Sequence, residues 1–280
     1  MKPSPIGYVR ATSIAQALDL LAAGDGDEKV LAGGQSLVAS LNLRLIESPN
    51  LIDISPIDEL RGITEDGDII RVGALTRHCE LLASTIIAQH APLLAQAAPL
   101  IAHAAIRTRG TIGGSIANAD PAAELPACIV ALDAIVILAS KAGERRVKAT
   151  DFFMGMFETA RRDHELLIAI EIPKIQNGEQ HMISEIVRRS GDYALAGLAI
   201  AGPTSSPRLV YFGVGDAPVV ASSAMKVLAS GGSIDDAVSA LDHDLNPPAD
   251  IHGSAGYRKH IAGVLLKRML SAHARFGAVA

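Results

Sequence analysis

Gly110-Thr111-Ile112-Gly113-Gly114-Ser115-Ile116-Ala117-Asn118-Ala119-Asp120-Pro121-Ala122-Ala123-Glu124-Leu125-Pro126 packs close-approach glycines, hydroxyls and two carboxylates into one short span. It reads as a binding loop running into a helix. Adjacent glycines remove side chains, so backbone can lie against a ligand and take positive φ, while Thr111 and Ser115 add hydroxyls beside exposed N–H groups. That chemistry suits a phosphate. A glycine pair also suits a plain turn between packed elements, and taken alone the stretch fits both.

A second copy stands near the start of the chain. Ala32-Gly33-Gly34-Gln35-Ser36 again sets two glycines and a hydroxyl after an apolar run, Val30-Leu31, and ahead of a helix-like segment. Two such loops can grip one diphosphate from both sides. Neither carries G-x-G-x-x-G after a strand or G-x-x-x-x-G-K-[ST], so a Rossmann domain and a P-loop both fit poorly.

The 280 residues are 49% hydrophobic but only 3% aromatic, with no Trp, so the cores must be built from Ala, Leu, Ile and Val. The length suffices for one large domain or two to three lobes. Apolar runs are broken by charges before they reach a membrane span. The start, Met1-Lys2-Pro3-Ser4-Pro5, lacks the apolar stretch of a signal peptide, so a cytoplasmic chain is expected, with the reservation that export can depend on a partner. A net charge of -5 with no basic stripe argues against nucleic acid. The two cysteines, Cys79 and Cys128, read as free buried thiols and cannot hold an iron–sulfur cluster alone. The nine histidines show no H-x-x-x-H or H-E-x-x-H spacing, so no metal is expected.

Periodicity gives a β-α-β lobe first: a strand Ile6 to Val9, a helix capped by Ser13 that ends at Gly24, a turn Asp25-Gly26-Asp27, a strand Val30-Leu31, a helix Leu37 to Leu45 and a strand Leu51 to Ile54. After a boundary near Ser55-Pro56, an antiparallel pair Gly62 to Glu65 and Asp68 to Val72 turns at Asp66-Gly67. Thr76 is expected to cap a helix containing Cys79, and a second helix runs from about Pro92 to Ala104. Arg107 and Arg109 precede the glycine loop and either neutralise a diphosphate or cover the surface. A helix from Asp120 or Ala122 to Leu132 would put Asp120 and Glu124 on one face, as an acid/base pair or as a dipole match and a solvated carboxylate. Strands Ala134 to Leu138 and Glu165 to Ile172 follow, then a linker Lys174 to Glu179. A three-stranded meander, His181 to Arg189, Tyr193 to Ala201 and Arg208 to Val214, leads to helices Ser222 to Ala229, Ser233 to Leu241 and Ser254 to Ala274. That makes a separate α+β C-terminal lobe.

With both loops in place, and Ala119-Asp120-Pro121-Ala122-Ala123-Glu124-Leu125-Pro126 after the second, the chain resembles the FAD-binding medium subunit of the molybdenum hydroxylases, the carbon monoxide dehydrogenase and xanthine dehydrogenase group. The likeness covers nearly the whole chain, including Asp151-Phe152-Phe153, Arg188-Arg189-Ser190-Gly191-Asp192-Tyr193-Ala194 and His252-Gly253-Ser254-Ala255-Gly256-Tyr257-Arg258. The resemblance implies an α+β protein: a PCMH-type FAD-binding domain over residues 1–175, made of α/β subdomains at about 1–55 and 56–175, then a C-terminal domain over 176–280.

Carried over by residue, it implies that Ala32, Gly33, Gly34, Gln35, Ser36 and Leu37, with Thr111, Ile112, Gly113, Gly114, Ser115 and Asn118, hold FAD through backbone N–H groups and hydroxyls. Glu124 stands where relatives often have an Asp on the flavin side, Ile101 and Leu167 match apolar positions packed on the cofactor, and Tyr193 falls where an aromatic covers the ring. Many relatives carry a Lys shortly before the Arg pair; this chain has Glu185 and Ile186 there, which leaves Arg188 as a substitute cation. No residue of the chain need be catalytic toward the organic substrate. The resemblance further implies a small iron–sulfur subunit, a large molybdopterin subunit, a dimer of heterotrimers and an external electron acceptor. A stand-alone flavin oxidase and an assembly subunit without FAD are the alternatives.

Overall fold

The computed structural model describes residues 2–24, 26–47 and 49–277, with side chains through Ser271. The expected turn at Asp25 and the last three residues of the C-terminal unit lie outside the described residues. Three layers of chain follow one another in sequence, and each meets the next through a shared hydrophobic face.

The first lobe holds β1 (Gly7–Arg10), α1 (Ile14–Ala23), β2 (Glu28–Leu31), α2 (Leu37–Asn42) and β3 (Asn50–Asp53). Its three strands are parallel in the order β1-β3-β2, with Ile52 of β3 opposite both Val9 and Val30. Ser13 caps α1 as expected, its hydroxyl accepting from the Gln16 N–H. Ala17, Leu18 and Leu21 turn one stripe of α1 onto a core with Ile52, Ile54, Ile57 and Leu60. Because the strands are parallel, the loops after β2 and β3 emerge at the same carboxyl edge. In open α/β sheets that edge is where ligands sit.

The second lobe contains β4 (Ile63–Asp66), β5 (Ile69–Gly73), α3 (His78–Ala83), α4 (Thr85–His90), α5 (Pro92–Ala97), α6 (Ala104–Arg107), α7 (Ile112–Asn118), α8 (Glu124–Ala131), β6 (Ile135–Ser140), β7 (Gly143–Lys148), α9 (Ala149–Phe152), β8 (Phe153–Gly155), β9 (Glu158–Thr159) and β10 (Leu166–Pro173). Five strands form an antiparallel sheet in the order β4-β5-β10-β6-β7. Strand alternation sends Ile70, Val72, Val136, Leu138 and Ile170 into the core beneath the helices. It sends Ile137, Ala139, Ile168 and Ala169 to the other face, against the first lobe. The central strand β10 is therefore buried on both faces.

The C-terminal lobe adds β11 (Met182–Ile186), β12 (Ala196–Ala201), β13 (Arg208–Phe212), β14 (Val219–Val220), α10 (Ser222–Ala229), α11 (Ile234–Asp244) and α12 (Ala255–Gly277). One face of its sheet, Leu198, Ile200, Leu209 and Tyr211, packs under the three helices. The other, Ala199, Ala201, Val210 and Phe212, joins the core that contains α8. That helix is buried on every side, from Glu124 to Ala131.

Several expected elements differ. The run Pro92 to Ala104 is not one helix: α5 stops at Ala97, ahead of Pro99, and Ala102 takes φ 42° before α6 starts. Arg77 rather than Thr76 occupies the cap of α3; the Thr76 hydroxyl donates instead to the Gly62 carbonyl at 3.0 Å. Helix α8 begins at Glu124, so Asp120 lies in the preceding turn and the two carboxylates do not share a helix face. Helix α2 ends at Asn42, short of Leu45. The C-terminal meander gains a fourth, two-residue strand, β14. Cys128 is buried and Cys79 only half-buried, both as free thiols.

Phe152 is fully buried beneath the second-lobe helices and stacks edge-on against Phe153 at 5.2 Å between ring centres. Phe152→Ala should cost about 3–5 kcal/mol, read as a lower midpoint with unchanged slope in urea unfolding.

Candidate functional site

The two glycine loops meet. A Cβ built on Gly33 would collide with the Arg109 carbonyl oxygen and lie 3.0 Å from the Gly110 Cα. Only hydrogen at that position lets the first loop close onto the second. On the far side of Gly110 lies the ring of His78, whose Cε1 would be 2.9 Å from a Cβ there. His78 is buried with neither ring nitrogen hydrogen-bonded, and burial, with the Arg107 charge adding to it, pushes its pKa down to about 4. At neutral pH the imidazole is an uncharged packing piece that holds Gly110 against Gly33.

Where the loops meet, a cleft of about 430 Å³ opens, lined by Leu31 to Gln35, by Val38, Ala39 and Asn42 of α2, by Asp53 and Ser55, and by Arg109. Gly34 takes φ 74°, and the Gln35 side-chain amide donates back to the Gly33 carbonyl at 3.1 Å, so Gln35 braces the loop. Among the described residues, the N–H groups of Gly33, Gly34, Gln35 and Ser36 donate to no protein acceptor. Ser36 stands at the cap of α2 without using its hydroxyl there. Free donors, a missing Cβ and one guanidinium around an open cleft are a donor set for an anionic ligand.

The second stretch is built differently from its expected form. Its glycines sit inside α7, capped by Thr111, whose hydroxyl accepts from the Gly114 N–H at 3.1 Å. The N–H groups of Ile112, Gly113 and Ser115 donate to Thr76, Ala74 and Thr111 carbonyls. Gly113 is needed because a Cβ would lie 2.7 Å from the Ala74 carbonyl oxygen. The backbone donors expected here are thus already engaged, and what Thr111 to Asn118 can offer a ligand is the hydroxyl of Ser115, the amide of Asn118 and a close-lying surface.

Helix α7 ends at Ala119 with φ 48°, and the chain turns through Asp120 into α8. The Asp120 carboxylate accepts from the Ala122 N–H at 2.9 Å, and burial pushes its pKa up. Burial, with the charge of Asp120 adding to it, pushes the Glu124 carboxyl up to about 7. The Gly213 N–H donates to the Pro121 carbonyl at 2.8 Å, tying this turn to the C-terminal sheet. Tyr193 is 71% exposed beside it.

The remaining expected positions spread more widely. Ile101 and Leu167 are 8% and 4% exposed, so they can wall a site but offer it little surface. Gly191, with φ 86°, lies against His103 and the Ala102 carbonyl, which seats the Tyr193 loop beside Ile101. Leu37 is half-buried at the start of α2. Arg188 is exposed with its Nη1 3.1 Å from His252 Nδ1, and among the described residues it makes no hydrogen bond or ion pair to either loop. Asp53 was not expected. Its carboxylate accepts from the Tyr8 hydroxyl at 2.6 Å and the Ser55 N–H at 2.9 Å. Burial pushes its pKa up, but these bonds and Arg10 outweigh that and hold it below the usual range. Its place at the carboxyl end of a parallel strand was the available signal.

Comparison with known proteins places this geometry in a class. Residues 4–175 match the family described as "FAD binding domain in molybdopterin dehydrogenase", and residues 181–273 match "CO dehydrogenase flavoprotein C-terminal domain". The chain is 38% identical to the glyceraldehyde dehydrogenase medium chain of Sulfolobus acidocaldarius, over 95% of its own length and 97% of the relative's. It is 36% identical to the carbon monoxide dehydrogenase medium chain of Afipia carboxidovorans, over 96% of each. Among solved structures, carbon monoxide dehydrogenase from Hydrogenophaga pseudoflava, in a form lacking the Mo-pyranopterin moiety, superposes with TM-score 0.92 at 35% identity over 96% of each chain. Quinoline 2-oxidoreductase from Pseudomonas putida 86 gives 0.91 at 32% identity, over 98% of this chain and 99% of the other. The fold is that of a flavoprotein component of an oxidoreductase. The chain belongs to the FAD-binding medium chains of the molybdenum hydroxylases, the family that includes the carbon monoxide and xanthine dehydrogenase flavoproteins.

Gly33→Ala should force the first loop off the Arg109–Gly110 backbone and destabilise the chain by about 1–3 kcal/mol, measured as a lowered urea midpoint.

Proposed function

We propose that the cleft at Ala32 to Ser36 receives the diphosphate of FAD and that the chain carries electrons between an iron–sulfur partner and an external acceptor. The observation that carries this reading is the set of N–H groups from Gly33 to Ser36 without a protein acceptor, in a loop whose residues Gly33 to Gln35 line an open cleft with Arg109. A diphosphate needs several donors and a counter-charge in one concave place, and this is such a place. When bound, FAD supplies the redox chemistry that couples one-electron to two-electron transfer, and the protein supplies position and electrostatics.

Each residue then has a definite task. Gly33, Gly34, Gln35 and Ser36 donate from the backbone to phosphate oxygens, with Ala32 and Leu37 setting the ends of the loop. Arg109 neutralises charge. Thr111 to Ser115 form the opposing wall, seated on Ala74 through Gly113, with the Ser115 hydroxyl and Asn118 amide available for hydrogen bonding. Ile101 and Leu167 exclude water from the apolar end, Tyr193 covers the exposed side, and Glu124 stands nearest the redox end. Arg188, held at His252, does not replace the family lysine in this arrangement.

In this reading the flavin unit is residues 1–175, with subdomains at about 1–55 and 56–175, and residues 176–280 form the second domain. The complex contains a small iron–sulfur chain and a large molybdopterin chain, arranged as a dimer of heterotrimers in the cytoplasm. Among the described residues no cluster of ligating side chains is set for a metal, and no helix is long and apolar enough to cross a membrane.

The test is reconstitution. The purified chain should take up one equivalent of FAD and show a flavin visible spectrum, and Gly34→Val should lose FAD while keeping the wild-type far-UV circular dichroism. A folded wild-type chain that takes up no FAD overturns the reading.

A further inference from the structure

We infer that Asp53 is the residue that reads the adenosine end of the cofactor, its carboxylate accepting from ribose hydroxyls in the cleft beside the Gly33–Ser36 loop. This rests on the FAD reading for the identity of the whole ligand; the ribose site itself is open to test with ADP.

Asp53 is the last residue of β3 and stands in register with Leu31, the last residue of β2, so it sits at the carboxyl edge from which the loop emerges. The Ile54 N–H donates to the Leu31 carbonyl at 3.0 Å and fixes the two strand ends side by side. The Asp53 side chain is 10% exposed, and the residue lines the cleft together with Ser55, Asn42 and Arg109. Three groups hold its carboxylate in place. The Tyr8 hydroxyl donates to Oδ2 at 2.6 Å, the Ser55 N–H donates to Oδ1 at 2.9 Å, and Arg10 Nε lies 3.9 Å from Oδ2. With one hydrogen bond on each oxygen, both keep acceptor capacity for a ligand. Burial works against the charge, but these partners outweigh it, so the group is an anion at neutral pH.

A held carboxylate in this cleft constrains the ligand. The loop N–H groups and Arg109 suit a diphosphate, whereas Asp53 repels one. Both fit a single molecule only when its anionic part lies at the loop and a neutral part carrying hydroxyl donors lies at Asp53. FAD has such hydroxyls on both sides of its diphosphate, on the ribityl chain toward the flavin and on the ribose toward the adenine. In the FAD reading the flavin side runs toward Glu124 and Tyr193, past the far end of α7. Asp53 belongs to the first lobe, and the cleft it lines takes no residue from α7 or α8. The hydroxyls left for Asp53 are therefore those of the ribose. A carboxylate meeting a ribose at the carboxyl edge of a parallel sheet is also how dinucleotide sites on other α/β folds are built.

The experiment is calorimetric titration of the full chain with ADP, 2′,3′-dideoxy-ADP, 2′-phosphorylated ADP, FMN and FAD, for wild type and Asp53→Asn. Wild type should bind dideoxy-ADP about tenfold more weakly than ADP, the scale of a hydrogen bond to a charged group; this comparison needs no variant. In Asp53→Asn the dissociation constants of ADP and FAD should rise by about the same factor. That of FMN, which lacks the adenosine, should not change. The 2′-phosphorylated ADP should gain on ADP in the variant, because a like charge has been removed. A purely structural Asp53 would instead weaken every ligand alike. Equal wild-type affinity for ADP and dideoxy-ADP, or a variant that loses FMN and keeps ADP, overturns the inference while leaving FAD binding intact. A wild type that shows the ADP pattern but takes up no FAD keeps the ribose site and refutes the FAD reading; one that binds neither overturns both.

Discussion

Everything at the site depends on the absence of a side chain at Gly33. The loop after β2 and the segment before α7 come from different lobes, and nothing covalent holds them together. They meet because a hydrogen, not a methyl, faces the Arg109 carbonyl, and because a neutral, buried His78 supports Gly110 from behind. Among the described residues the N–H groups of this loop, Gly33 to Ser36, have no protein acceptor, and Gly33 to Gln35 line the cleft beside Arg109. The glycine that closes the joint thus belongs to the loop that carries the free donors.

The second constraint is the seam between the flavin-binding lobes and the C-terminal sheet. Helix α8 is apolar nearly throughout and buried on all sides, which a helix achieves only between two cores. Its one charged residue is Glu124, at its first position. The Gly213–Pro121 hydrogen bond and the Gly191 contact with Ala102 and His103 both fall at this same end. The C-terminal lobe therefore closes over the Glu124 end of α8, while the β2 loop closes onto Arg109 and Gly110. A chain cut after β10 would leave Glu124 and the apolar face of α8 open to water.

The glycine pairs, the cap at Ser13, the Asp66-Gly67 hairpin and the three long C-terminal strands were legible because each is a local signal. The meeting of Gly33 with Arg109 was not, because it joins residues far apart in sequence and depends on tertiary approach. The glycines of α7 read as a loop since glycine disfavours helix; the Thr111 cap and the need to fit against Ala74 override that preference. Pro99 was a stop signal inside the Ala-rich run from Pro92, and the structure obeys it. A two-residue strand such as β14 has no pattern to read. Asp120 and Glu124 read as one helix face because their spacing is four, but the turn at Ala119 places the helix start between them.

The most direct measurement of the central claim is residue-resolved amide hydrogen exchange of the chain with and without FAD. The account predicts that the amides of Gly33, Gly34, Gln35 and Ser36 exchange fast in the free chain and become protected on adding FAD, while those of Ile112 to Ser115, already bonded within the protein, change little. FAD binding that leaves Gly33 to Ser36 unprotected would contradict it.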